Sequence, residues 1–178
     1  LLVTLLLGSA LQSVSQNFNV QNMVNYLRNK DYAKAKEAAD AAVQHEKTMN
    51  EPKTWKYRGD VYKAIFDTSA RDMLDKEAEE KALEAYVRCL ELDKGRDIYK
   101  DEVYGDLVHS VGVTRDKAAR YAYNKEFDKA LHCYDLLERS IPFDFKGSIS
   151  TTRAKCSSAR HCRLTAFRDR SPTNSLRA

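Results

Sequence analysis

The fold is decided by residues 81–93, which read KALEAYVRCLELD. In this stretch Ala82, Tyr86 and Cys89 stand four and three residues apart. Residues at this spacing share one face of an α-helix. The stretch therefore predicts a helix that packs against a neighbour through a small residue followed by larger ones.

The same pattern occurs twice more along the chain. The further sets are Tyr32/Ala35/Ala39/Ala42 and Phe127/Ala130/Tyr134/Leu137. The alanines at 35, 82 and 130 are separated by 47 and 48 residues, which indicates an internal repeat of helical units. With only three prolines and six glycines in 178 residues, the composition favours an all-helical chain.

A second motif precedes the middle set: Trp55-x-x-Arg58-Gly59-x-x-Tyr62, and Pro142 follows the third set. Together these residues resemble the tetratricopeptide repeat (TPR) signature. The resemblance covers residues 18–145 and implies about three stacked antiparallel helix pairs that form an α-solenoid. HEAT-type repeats are the structural alternative, because they run at about 40–47 residues whereas TPR units run at about 34.

The extra length of each unit can be located in the sequence. Residues 68–78 separate Tyr62 from the next helix, and residues 97–110 precede the third unit. Helical spacing within the second of these segments predicts a lengthened helix with a face formed by Ile98, Val103, Leu107 and Val111. Gly59 is predicted to allow a close approach of two helices, because a helical glycine otherwise costs about 0.5–1 kcal/mol.

The resemblance also implies where a partner binds, since the first helices of TPR units line a concave groove. If Trp55, Gly59 and Tyr62 face the packing, the adjacent residues are predicted to contact a protein or peptide segment: Lys56, Asp60, Lys63, Arg115, Ala119 and Tyr123. The alternative is that these are exposed helix residues with no binding role.

The chain ends differ from the repeats. Residues 1–10, LLVTLLLGSA, have the length of a signal-peptide core and are too short to span a bilayer. The sequence therefore predicts a signal peptide over 1–15, a helical repeat domain over 16–147 and a tail over 148–178. A buried first helix is the alternative for the N-terminus. Export, with the family resemblance, implies a bacterial periplasm or cell envelope and no membrane span after signal removal.

The net charge of +4 is unevenly distributed. Residues 148–178 carry seven cations and one anion, whereas the preceding residues hold 23 cations and 25 anions. The repeat region is therefore nearly neutral and offers no basic patch for nucleic acid. The tail is open to three interpretations: a functional basic segment, a disordered terminus, or residues that are not native coding sequence.

No sequence motif for catalysis, for a cofactor or for a metal is present. Cys89 and Cys133 are interpreted as small buried residues, and Cys156 and Cys162 with His161 lack zinc-ligand spacing. The acidic residues at 75, 77, 79 and 80 are interpreted as a solvated helix start. The expected function is a non-catalytic interaction module or scaffold. The alternatives are an accessory region of a larger enzyme or carrier, and an oligomerisation unit.

Overall fold

The computed structural model describes residues 20–68 and 71–149. Within these residues the chain is helical and has no β-strand, so the predicted all-α class is confirmed. Helix α1 occupies residues 20–28. It is followed by α2 (Tyr32–Gln44), α3 (Pro52–Phe66), α4 (Arg71–Leu74), α5 (Ala78–Asp93), α6 (Lys100–Tyr123), α7 (Phe127–Ser140) and a 3-10 turn (Ile141–Phe143).

The chain divides into two compact units, Leu1–Ser110 and Val111–Ala178, with the boundary inside α6. The boundary lies within the repeat domain that the sequence predicts over 16–147. The predicted signal peptide, 1–15, lies outside the described residues, as does the predicted tail from residue 150 onwards. Both therefore stay predictions.

Helices α3 and α5 form the centre of the first unit. Gly59 of α3 lies against the ring of Tyr86, so that a β-carbon at Gly59 would stand 2.4 Å from the Tyr86 Cε1 atom. The Lys81 ammonium lies 5.7 Å from the centroid of the Tyr62 ring. Because position 59 contacts 86 and position 62 contacts 81, the two helices run antiparallel. The close approach predicted at Gly59 is confirmed.

Helix α5 is buried around most of its circumference, including its first turn. Glu79 and Glu80 are only 1% and 5% exposed, and the Asp75 side chain before them is 7% exposed. The prediction of a solvated helix start is therefore wrong for these three residues. Alternating charge along the chain shows that a segment is polar, but it does not show which neighbouring helices cover it.

One lysine–tyrosine contact recurs in all three helix pairs. The lysine just before each repeat alanine places its ammonium over the tyrosine ring near the end of the preceding long helix. The three distances from ammonium to ring centroid are 5.8 Å for Lys34 and Tyr26, 5.7 Å for Lys81 and Tyr62, and 5.4 Å for Lys129 and Tyr121. A cation within about 6 Å of a ring is attracted by the ring quadrupole. The internal repeat is therefore a repeat of side-chain contacts as well as of sequence.

The turns of the first and third pairs share one geometry. Lys30 and Lys125 both adopt a positive φ, 57° and 63°, in the sequences NKDY and NKEF. In the first turn the Asp31 amide donates to the Tyr26 carbonyl at 2.9 Å, and in the third the Glu126 amide donates to the Tyr121 carbonyl at 2.8 Å. In the middle pair the turn is replaced by a longer connection that includes α4.

Helix α6 is 24 residues long, which confirms the lengthened helix predicted from the sequence. Val103, Leu107 and Val111 are buried on it as the spacing predicts. Ile98 is 63% exposed, so its place on that face is wrong. The helix begins only at Lys100, after a turn in which Asp97 has a φ of 53°. The helical spacing cannot apply to Ile98, because that residue precedes the helix.

In the second unit the chain turns back after α7. Gly147 has a φ of 71°, which favours glycine, and the Ile149 amide donates to the Asp144 carboxylate at 2.9 Å. The Ile149 side chain is fully buried. Residue 149, which the sequence assigns to the tail, therefore contributes a buried apolar side chain to the described part of the chain.

Candidate functional site: the charged face of α3 and α6

Charged side chains of α3 and of the N-terminal half of α6 meet along one face of the first unit. We call this the α3–α6 face and define it by Lys56, Asp60, Lys63, Asp67, Glu102, Asp106 and His109. The α3 members follow each other at intervals of four, three and four residues, and the α6 members at four and three. Residues at these intervals form one stripe on a helix.

Lys56 lies at the N-terminal end of this face. Its ammonium is 2.9 Å from the Asp60 carboxylate and 2.8 Å from the Glu102 carboxylate, and its side chain is only 14% exposed. Burial alone would lower the pKa of Lys56, but the two carboxylates outweigh burial and raise that pKa well above its usual value. Lys56 is therefore a fixed cation that joins α3 to α6.

Asp60 connects the face to the core of the unit. The Tyr86 hydroxyl donates to the Asp60 carboxylate at 3.0 Å, from the same ring that covers Gly59. Burial raises the pKa of Asp60, and the hydrogen bonds from Lys56 and Tyr86 offset this effect only in part. Asp60 is thus held in place by packing and is poorly placed to exchange partners.

The far end of the face repeats this arrangement with weaker contacts. The Lys63 ammonium is 2.6 Å from Asp67 and 3.7 Å from Asp106. The His109 Nε2 atom is 3.1 Å from the Asp67 carboxylate, and the His109 ring stacks on Phe66 at 5.6 Å between centroids. Burial would raise the pKa of Asp67, but the hydrogen bonds from Lys63 and His109 lower it.

These contacts fix the relative direction of the two helices. Lys56 pairs with Glu102, Lys63 with Asp106, and Asp67 with His109, so residue numbers rise together along α3 and α6. The N-terminal half of α6 therefore runs parallel to α3, whereas α5 runs antiparallel to it.

The accessible atoms of the face are mainly those of α6. The side chains of Glu102, Asp106 and His109 are 57%, 43% and 48% exposed, against 14% for Lys56 and 26% for Lys63. The lysine charges are already balanced by carboxylates within the chain. The exposed carboxylates of the face can therefore accept hydrogen bonds from cationic or amide donors. Lys56 and Lys63 hold these carboxylates in position through their ion pairs.

The second set of predicted contact residues lies on α6 in the second unit. Arg115 forms a 3.3 Å ion pair with its neighbour Asp116, and its side chain is 36% exposed. Ala119 is exposed, and Tyr123 is 88% exposed. Intervals of four residues place the three on one stripe of the helix. The prediction that these residues bind a partner stays a prediction.

A concave surface that the sequence analysis does not identify lies between α1 and α2. A cavity of about 280 Å³ opens there and is lined by Asn22, Tyr26, Lys34, Glu37, Ala38 and Ala41. Ala38 and Ala41 leave room between the helices because their side chains are small. Their spacing of three residues does not single them out, because alanines are common throughout α2.

The cysteines and the metal-ligating residue types were the candidates for chemistry in the described part of the chain. Burial raises the pKa of the Cys89 thiol to about 12, so the thiolate is not formed near neutral pH, and Cys133 is also buried. Residues 20–68 and 71–149 contain no group of three or more His, Cys, Asp or Glu side chains that could hold a metal ion. Both cysteines lie where small apolar residues are expected, as the sequence predicts.

No protein family, curated protein or solved structure matches the chain. In the described part of the chain, no helix is both long and apolar enough to cross a membrane. The functional proposal therefore depends on the geometry of the helix pairs and their exposed faces.

Proposed function

We propose that this protein is a non-catalytic interaction module of the TPR-like helical-repeat class, exported to a bacterial cell envelope. It binds an extended protein or peptide segment along the exposed side of its first helices. Its partner contacts come from the α3–α6 face in the first unit and from Arg115, Ala119 and Tyr123 in the second.

The observation that carries this proposal is the lysine–tyrosine contact repeated in each helix pair. Three hairpins with equivalent contacts, two of which share the same turn geometry, are typical of a duplicated structural unit. Such units bury their apolar faces against their neighbours and leave an extended surface for binding. The parallel arrangement of α3 and the N-terminal half of α6, which both lie in the first unit, supports the proposal, because both belong to first helices of their pairs.

The distribution of exposure supports binding at this surface. Lys56 and Asp60 are held by internal contacts, so the Glu102 carboxylate, 2.8 Å from the Lys56 ammonium, is presented in a fixed position. Fixed groups lose little conformational entropy when a partner binds. In the second unit Tyr123 offers an exposed aromatic ring, a residue type that is enriched at interfaces.

The experiment is photo-crosslinking in the bacterial envelope. A photoreactive amino acid replaces Ala119 in one variant and Ala33 of α2 in another. Both are exposed helical alanines, so the two variants differ mainly in the face that they probe. We expect position 119 to crosslink to one discrete protein. The yield of this crosslink should fall at high salt, because the screening length decreases from about 8 Å at physiological ionic strength to about 3 Å at 1 M.

A third variant tests the first unit with the photoreactive group at Glu102. Crosslinks to the same protein from positions 102 and 119, without a crosslink from position 33, support the proposal. Equal crosslinking from all three positions, or none from positions 102 and 119, contradicts it. Recovery of the protein in the cytoplasmic fraction contradicts the proposed envelope location.

A further inference from the structure

We propose that α1 and α2 form a detachable flap, which opens from the α3–α5 pair as one unit while that pair stays folded. The flap comprises residues 20–44. It is joined to α3 by residues 45–51, which act as its hinge. This conformational property goes beyond the proposed binding function and does not depend on it.

The apolar contribution of the flap to the core is small. Among residues 20–44 the buried side chains are Met23, Ala35, Ala38, Ala39 and Ala42. Each buried methylene contributes about 0.8 kcal/mol, so a row of alanines holds a helix far less firmly than larger side chains do. Met23 is the one large buried side chain in this range, and it is flexible.

The α3–α5 pair is held quite differently. Its two helices bury large side chains, which include Val61, Tyr62, Ile65, Leu83, Tyr86, Val87 and Leu90. Helix α3 also contacts α5 more extensively than it contacts α2. Opening of the flap therefore exposes much less apolar surface to water than separation of α3 from α5 would.

Polar contacts compensate for the small alanines. The Asp40 carboxylate of α2 accepts hydrogen bonds from the Arg58 guanidinium and, at 2.7 Å, from the Tyr62 hydroxyl. Lys36 of α2 lies 3.0 Å from Asp40 and 3.7 Å from Asp75. Arg58 is 9% exposed, so the loss of Asp40 would leave a nearly buried guanidinium without its carboxylate.

The connection between α2 and α3 keeps its own structure. The Thr48 hydroxyl is buried and donates to the Ala42 carbonyl at 2.5 Å, and the Trp55 indole donates to the Met49 carbonyl at 2.7 Å. These bonds fix the two ends of the hinge. The Met49 amide donates to the His45 carbonyl at 2.8 Å and the Glu51 amide donates to the Thr48 carbonyl at 3.1 Å, so the flap opens by breaking these turn bonds while α3 stays folded.

The test is amide hydrogen exchange of the full chain, read by mass spectrometry over increasing low concentrations of denaturant. Helices of 9 and 13 residues are marginal in water, so α1 and α2 should unwind once they are detached. In the wild type we therefore expect amides of 20–44 to exchange through an opening that depends less on denaturant than global unfolding does. Amides of 54–90 should exchange more slowly, through an opening that depends strongly on it. This measurement requires no variant. Equal rates and equal denaturant dependence in both segments would overturn the proposal.

Two variants identify the contact that closes the flap. Asp40→Asn should speed exchange in 20–44 at least tenfold and leave 54–90 within twofold of the wild type. Asp67→Asn is the matched control, since it removes the same charge from an ion pair at the other end of α3, and it should leave 20–44 unchanged. The proposal fails if Asp40→Asn accelerates both segments equally, or if it changes neither.

Discussion

The ring of Tyr86 occupies the space where Gly59 would carry a side chain. Its Cε1, Cδ1 and Cζ atoms would lie 2.4, 2.6 and 2.8 Å from a β-carbon at position 59. The same tyrosine donates its hydroxyl hydrogen to Asp60, one residue further along α3. Gly59 thus permits the packing of α3 on α5. It also permits the hydrogen bond from Tyr86 to Asp60, which is a member of the α3–α6 face.

Gly59→Ala should destabilise the protein by about 1–3 kcal/mol, because the ring of Tyr86 must move to admit the methyl group. The measurement is chemical denaturation. Gly105→Ala is the control: no atom lies within 4 Å of the β-carbon position there, and alanine in place of a helical glycine should stabilise by about 0.5–1 kcal/mol. Equal effects at the two positions would refute the close approach.

Lys56→Glu should destabilise the protein by roughly 2–3 kcal/mol, since it places a third carboxylate beside Asp60 and Glu102 in a largely buried position. The matched change Lys53→Glu, at an exposed position one turn earlier, should cost less than about 0.5 kcal/mol. The sequence places Lys56 on the predicted partner-contact face, but it does not show that the Lys56 ammonium is held between Asp60 and Glu102. A harmless Lys56→Glu would show that the contacts of Lys56 are not structural.

The Asp40 contacts should weaken in acid. Burial would raise the pKa of Asp40, but hydrogen bonds from Tyr62, Lys36 and Arg58 lower it below the usual value. Its stabilising contribution is therefore complete above the unfolded pKa of about 3.9 and is lost as the pH falls below it. The difference in unfolding free energy between wild type and Asp40→Asn should shrink between about pH 5 and pH 2.5 in urea titrations. A constant difference contradicts this prediction.

The contribution of Asp60 to folding stability should depend on pH in the opposite direction from that of Asp40. Its pKa is raised by burial, so ionised Asp60 opposes folding above that raised pKa, and this cost falls as the pH decreases. The carboxyl resonances of labelled Asp40 and Asp60, followed by NMR through an acid titration, give the order of the two pKa values. Protonation of Asp60 at a higher pH than Asp40 is expected, and the reverse order contradicts both assignments.

Ile149→Ala should destabilise the second unit by about 2–5 kcal/mol, because the side chain is fully buried. Ser148→Ala, at the exposed preceding residue, should have little effect. Thermal unfolding followed by circular dichroism compares the two. If the variants are equally stable, Ile149 does not belong to the folded unit.

The sequence predicted those features that follow from local spacing. Helical periodicity located the helices around Ala35, Ala82 and Ala130, and the glycine at position 59 indicated a close approach. Partners distant in sequence could not be predicted, because their encounter depends on the packing of whole helices. The contact of Arg58 with Asp40 and that of Lys56 with Glu102 are of this kind. Ile98 shows the converse limit, since periodicity does not reveal where a helix begins.

The claim on which the account depends is that α3 and the N-terminal half of α6 lie side by side in the same direction. Double-mutant cycles test it directly, with Lys56→Met and Glu102→Gln as one pair and Asp67→Asn with Glu102→Gln as the control. We predict a coupling of about 0.5–1 kcal/mol for Lys56 with Glu102 and none beyond error for Asp67 with Glu102. Coupling between Asp67 and Glu102, or its absence between Lys56 and Glu102, would contradict the parallel arrangement.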